Sequence, residues 1–222
     1  GIQLDGADGV VIGENVDAPE GVNFIGTNPT GAALGNGYWG IALLANGANG
    51  AKLNQIRSNW IFNSGYEGIL LSGTGANTIN STYYNAITGN RITGNGRVVT
   101  ASGIRLRDGA FNNVIGGSAP GSANRIYGNT GNGIRIESSE LNGVLGNVIG
   151  GSPDYPGNNT GDGILIIGGR DNWIGGYILI LGYIEAGNEI GGNNGDGIRL
   201  TSGAGNTAIR RNLIGSDSLG NP

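Results

Sequence analysis

Residues 103–132 read GIRLRDGAFNNVIGGSAPGSANRIYGNTGN, and residues 133–162 read GIRIESSELNGVLGNVIGGSPDYPGNNTGD. Both stretches hold three short apolar runs with Gly, Asn, Ser and Pro between them. In the first stretch the runs are Ile104–Leu106, Val114–Ile115 and Arg125–Tyr127. The opening Gly-Ile recurs along the whole chain, at Gly1, Gly40, Gly68, Gly103, Gly133, Gly163 and Gly197. In every phrase the residue after Gly and the one two further on are aliphatic, from Ile2 and Leu4 to Ile198 and Leu200. Alternation of period two, nested in a repeat of roughly 30 residues, describes a strand that returns once per turn of a coil. Three short strands per turn, separated by turn-formers, make a triangular or L-shaped coil. The expected fold is an all-β solenoid of about seven coils, each of roughly 30 residues with three short strands, forming a single domain over residues 1–222.

Composition agrees with this and narrows function. Gly supplies 48 of the 222 residues and Pro only 6, without a three-residue period. Most of the Gly is expected in turns at positive φ. Charged residues are 13% and the net charge is −4, so no basic face large enough for a phosphate backbone is expected. No apolar stretch is long enough to predict a membrane span. Cys, Met and His are absent, which removes thiol chemistry and the usual transition-metal ligands.

A second register accompanies the first. Nine residues after the phrase glycine stands Asn49, Asn77, Asn112, Asn142, Asn172 and Asn206 in six of the coils, and Val10 in the first. Asn carries both donors and an acceptor, so a column of stacked amides satisfies itself from coil to coil. A structural asparagine ladder at one corner is the expected role of these six residues.

The phrases NxIxGN, NxIGG and GIxL resemble the right-handed parallel β-helix repeats of the pectate-lyase-like superfamily. The style is that of large bacterial secreted and surface proteins, and the resemblance covers the whole chain. It implies a right-handed parallel β-helix, and a choice of activities that includes lyases, hydrolases, epimerases, tailspikes and adhesins. The resemblance also implies what an enzyme of this fold would carry. Galacturonan hydrolases use an Asp cluster with a His and an Arg-Ile-Lys segment; the lyases use carboxylates holding Ca²⁺ with an Arg base. This chain has no His, and its only Lys, Lys52, lies in no such segment. No catalytic residue and no cofactor is assigned.

Weaker candidates remain. Asp162 and Asp196 each precede a phrase glycine, and stacked they would lie about 5 Å apart. That spacing suits a calcium site or a carboxylate pair, while Asp-Gly is also an ordinary turn dipeptide. The outward slot of the Gly-Ile strand holds Arg105, Arg135 and Arg199, which could bind acidic sugars or simply form a solvated face. Arg107 and Glu137 share an offset and are expected to pair across adjacent coils. The aromatics Tyr38, Trp39, Trp60, Phe62 and Tyr66, followed by Tyr83 and Tyr84, serve equally as a sugar platform or as filling for a wide end of the core. The apolar insert Tyr177–Ala186 is expected to add a packed strand to one sheet.

No polar cap is evident at either end, which fits an excerpt of a longer solenoid or a subunit that stacks end to end. The favoured reading is a non-catalytic extracellular or bacterial cell-surface β-helix serving as fibre, stalk or adhesin. Its partners would be copies of itself or flanking coils. The alternative is a polysaccharide-active enzyme or carbohydrate-binding module that uses a groove on an outer sheet.

Overall fold

The computed structural model describes residues 1–14, 22–75, 78–152, 154–178 and 184–215. Among these, 21 of the strands form three seven-stranded parallel sheets, and each sheet takes one strand from every rung. The first sheet starts at Ile2–Asp5 and ends at Ile198–Thr201; every Gly-Ile phrase supplies one of its strands. The second runs from Val11–Ile12 to Ala208–Ile209, and the third from Phe24–Ile25 to Leu213–Ile214. Removing the two edge strands from the seven in each sheet leaves five rungs that are paired on both sides. The molecule is a parallel β-helix, and a right hand is the one expected for such parallel crossovers.

Alternation decides what points inward. In the third sheet a single column of isoleucines, Ile25, Ile61, Ile92, Ile126, Ile149, Ile190 and Ile214, runs the length of the rod in register. The second sheet contributes Ile12, Ile56, Ile87, Ile115, Val144, Ile174 and Ile209. With the two inner columns of the first sheet these build the core, except in the last rung, where Leu200, Ile209 and Ile214 are exposed. The main buried cluster contains only Ile, Leu, Val and Ala. Burying one such side chain contributes about 2 kcal/mol, and an identical residue above and below keeps each rotamer packed.

Three asparagine columns fasten the corners. One joins Asn54, Asn85, Asn113, Asn142 and Asn172; each Nδ2 donates to the next Oδ1 at 2.9 to 3.3 Å. A second joins Asn23, Asn59, Asn90, Asn124, Asn147, Asn188 and Asn212 at 2.8 to 3.0 Å. A third joins Asn95, Asn129, Asn159 and Asn193. The ladder expectation holds in kind, but its membership changes. Asn142 and Asn172 stand in the first column. Asn112 and Asn206 fall one position early, in a corner slot with φ of 52° and 49°. Asn49 belongs to a local turn in which its amide donates to Asn46 Oδ1, and Asn77 lies outside the described residues.

The third column has a defect. In the second rung its slot holds Ser64, whose amide donates to Asn95 Oδ1 as an asparagine there would. The Ser64 hydroxyl is too short to receive the preceding amide, and both Asn36 Nδ2 and Ser64 Oγ are buried without a partner. Replacing Ser64→Asn is expected to complete the column and stabilise the fold by about 1 kcal/mol, read as a higher denaturant midpoint. An unchanged or lower midpoint would show that the slot cannot take an amide.

As expected, many of the described glycines, 24 of them, have positive φ, but the phrase glycines are not among these. A Cβ on Gly103 would lie 2.5 Å from Ile126 Cγ2 and 2.9 Å from the Gly133 carbonyl oxygen, so close approach excludes any side chain. The described ends of the apolar insert, Tyr177–Ile178 and Ile184–Glu185, do not join a solenoid sheet but pair with each other antiparallel, and residues 179–183 of the expected strand lie outside the described residues.

Candidate functional site

With the interior closed, chemistry is left to the outer faces. On the first sheet Arg105 and Arg135 are register neighbours, but Leu165 separates them from the exposed Arg199. The three arginines therefore do not form one patch. Arg105 lies between two carboxylates, with Nη1 3.2 Å from Glu67 Oε1 and Nη2 2.7 Å from Glu137 Oε2. Arg135 reaches the same Glu137 oxygen at 3.1 Å, and Trp39 Nε1 donates to Glu67 Oε2 at 3.0 Å. Arg107 does not pair with Glu137 as expected; it turns to Asp108 at 3.2 Å and to the Ser72 hydroxyl. Cations on this face are largely neutralised from within.

Charge coupling in this cluster is directional. Burial would lower the Arg105 pKa, but hydrogen bonds to Glu137 and Glu67, with their charges, hold it above its ordinary value. Burial would raise the Glu137 carboxyl; the Arg105 hydrogen bond and the charges of Arg105, Arg135 and Arg107 hold it below the usual carboxylate range. A carboxyl whose folded pKa is depressed stabilises the fold above its unfolded pKa, and that contribution is lost as pH falls through the folded value. Melting temperature is expected to fall over that acidic window. Glu137→Gln should melt lower at neutral pH and lose less on acidification; parallel curves for the two proteins would contradict the coupling.

Asp162 and Asp196 are neighbours, as their spacing suggests. The Asp196 amide donates to Asp162 Oδ1 at 2.8 Å, and the Asp162 amide to Asn132 Oδ1 at 2.8 Å. The buried Asp162 thus continues a short side-chain-to-amide chain down this corner, while Asp196 is exposed. Calcium takes six to eight oxygens, and no group of three or more His, Cys, Asp or Glu gathers among the described residues.

None of the seven aromatics singled out above lies in the main buried cluster; with Phe24, Phe111, Tyr155 and the buried Tyr127 they divide into three groups. Tyr38, Trp39 and Tyr66 cluster at one corner, with the Tyr38 and Tyr66 rings stacked at 5.4 Å. Tyr83, Tyr84 and Phe111 cluster at another. The third group is the largest and lies on the outer face of the third sheet. There the slot before the inward isoleucine reads Phe24, Trp60, Arg91 and Arg125 in successive rungs, all in register. The slot after it carries Phe62, Thr93 and Tyr127.

Arg91 is the centre of this face. Its guanidinium carbon lies 5.1 Å from the Trp60 ring, 5.3 Å from Phe62, 5.5 Å from Tyr127 and 5.7 Å from Tyr155. Arg91 Nε also donates to the Tyr127 hydroxyl. Arg125 lies 5.1 Å from the Tyr155 ring. Among the described residues neither arginine forms a salt bridge, in contrast to Arg105, Arg107, Arg135 and Arg170. Rings hold a guanidinium in place by cation–π attraction without cancelling its charge. Its planar fork remains suited to a carboxylate, sulfate or phosphate. The sequence signal for this face was available: aligning the chain on the inward isoleucines, not on the Gly-Ile phrase, puts these residues in one column.

No protein-family model and no curated protein sequence matches the chain. Solved structures do. The periplasmic alginate epimerase AlgG superposes with a TM-score of 0.61 at 16% identity, over 96% of this chain and 42% of that one. The A-module of the Azotobacter vinelandii mannuronan C-5 epimerase AlgE6 gives 0.56 at 15% identity, over 98% of this chain and 55% of that one. The chain spans about half the length of the structures it matches. What it shares with them is the parallel β-helix fold.

Proposed function

We propose that this β-helix is a carbohydrate-binding segment of an extracellular or cell-surface protein, and that it holds an anionic polysaccharide on the outer face of its third sheet. The observation that carries the reading is Arg91, ringed by four aromatic side chains and, among the described residues, in no salt bridge. Sugars offer apolar C–H faces to aromatic rings, and acidic sugars offer an anion for Arg91 and Arg125. Two similar structures are named for alginate and mannuronan epimerases, which agrees with a saccharide ligand. Affinity electrophoresis through gels containing polymannuronate, polygalacturonate or neutral dextran tests this. Retardation by the two acidic polymers, weakened at least tenfold in Arg91→Leu and Arg125→Leu and by added salt, is expected. Equal retardation by dextran, or none by any polymer, would overturn the reading.

A second reading, the load-bearing rod of a fibre or stalk with end-to-end association, is favoured by the three asparagine columns that fasten rung to rung. Seven rungs make a rod of about 34 Å. Electron microscopy of purified protein showing only particles of that length would count against association.

A further inference from the structure

We infer, resting on the binding reading above, that the polysaccharide lies along the rod axis, one sugar per rung, over the four rungs of Phe24, Trp60, Arg91 and Arg125. The chemistry of the face sets that direction. Across the rod the site is short, because the third-sheet strands are two or three residues long and offer at most two outward slots per rung. Along the rod, four successive slots present ring, ring, cation, cation in register. Rungs are spaced at about 4.8 Å, close to the advance of one pyranose in an extended 1,4-linked chain. A chain laid along the column therefore keeps step with it.

The same column shows where the site stops. After Arg125 the slot passes to Val148 and then to Glu189. Val148 offers no charge, and the Glu189 carboxylate repels an acidic sugar. The bound stretch is thus asymmetric. Two consecutive acidic residues lie over Arg91 and Arg125, while the sugars over Phe24 and Trp60 are held by apolar contact and need no charge. Four rings and the Tyr127 hydroxyl hold the Arg91 guanidinium before any ligand arrives, which lowers the ordering cost of binding.

Isothermal titration with oligogalacturonides of two to eight residues tests the orientation. Affinity is expected to rise at least tenfold from dimer to tetramer and then level off. Phe24→Ala, whose ring does not touch Arg91, should weaken the tetramer while leaving the dimer unchanged; Arg125→Leu should weaken both. Val148→Arg adds a cation one rung further on and should move the plateau from tetramer to pentamer. Affinity that is flat from the dimer upward would overturn the axial placement and leave anion binding standing. So would affinity that keeps climbing through the octamer, or a plateau that Val148→Arg does not move. Failure of every oligomer to bind would remove the binding reading itself, and the placement with it.

Discussion

Asn90→Asp is expected to destabilise the fold by about 3–5 kcal/mol at neutral pH, the cost of a buried charge without a partner. Asn90 is 1% exposed. Its Oδ1 receives both the amide and the Nδ2 of Asn59, and its own Nδ2 donates to the Ile56 and Thr88 carbonyls and to Asn124 Oδ1. A carboxylate keeps the acceptor and loses the donor, so a buried negative oxygen faces three acceptors. Protonation restores one donor, which means the folded pKa of the new carboxyl lies above its unfolded value. The penalty is then small at low pH and grows as pH rises. Urea midpoints of wild type and variant at neutral and acidic pH should therefore converge on acidification. A variant as stable as wild type at neutral pH would show that the column does not carry the fold.

Gly103→Ala is the second large effect, about 3 kcal/mol, at the upper end of ordinary overpacking costs. The added methyl meets Ile126 Cγ2 at 2.5 Å, Asn129 Nδ2 at 2.9 Å and the Gly133 oxygen at 2.9 Å. None of these can yield without disturbing the neighbouring rung, since Ile126 and Asn129 are fully buried. Gly31→Ala supplies the contrast. Gly31 has φ of 83° with nothing near its Cβ position, so only backbone strain of about 1 kcal/mol applies. Thermal unfolding should rank Gly103→Ala well below Gly31→Ala. The reverse order would mean that backbone conformation, not close approach, selects glycine in the phrase.

The two substitutions bracket what could be read from the chain. Strand recurrence was legible because alternation places the same aliphatics inward in every rung, and Ile104 sits on Ile134 as the repeat predicts. The asparagine ladder was legible as chemistry but not as an address. Counting nine residues from Gly103 reaches Asn112, one short of Asn113, because the first corner varies in length between rungs. Counting back two from the inward Ile or Val finds Asn54, Asn85, Asn113, Asn142 and Asn172 each time. Register is set by the strand, and loops absorb the difference. The Arg91 face was hidden for the same reason. Its members lie about 31 to 36 positions apart, and Tyr155 arrives from a corner loop whose length no repeat specifies.

The asparagine columns have one more property, which concerns sense and not strength. In all three, the donor belongs to the earlier rung and the acceptor to the later one, as from Asn54 to Asn85, Asn90 to Asn124 and Asn129 to Asn159. Amide dipoles that all point one way add along a line, as peptide dipoles do in a helix. The rod is therefore a vector, whatever the formal charges on its surface. Every column carboxamide turns its Oδ1 to the earlier rung and sends one N–H to the later one, its other N–H returning to a backbone carbonyl of the earlier rung. Two such rods side by side are electrostatically distinguishable in parallel and antiparallel alignment, a preference encoded by an uncharged residue buried in the interior.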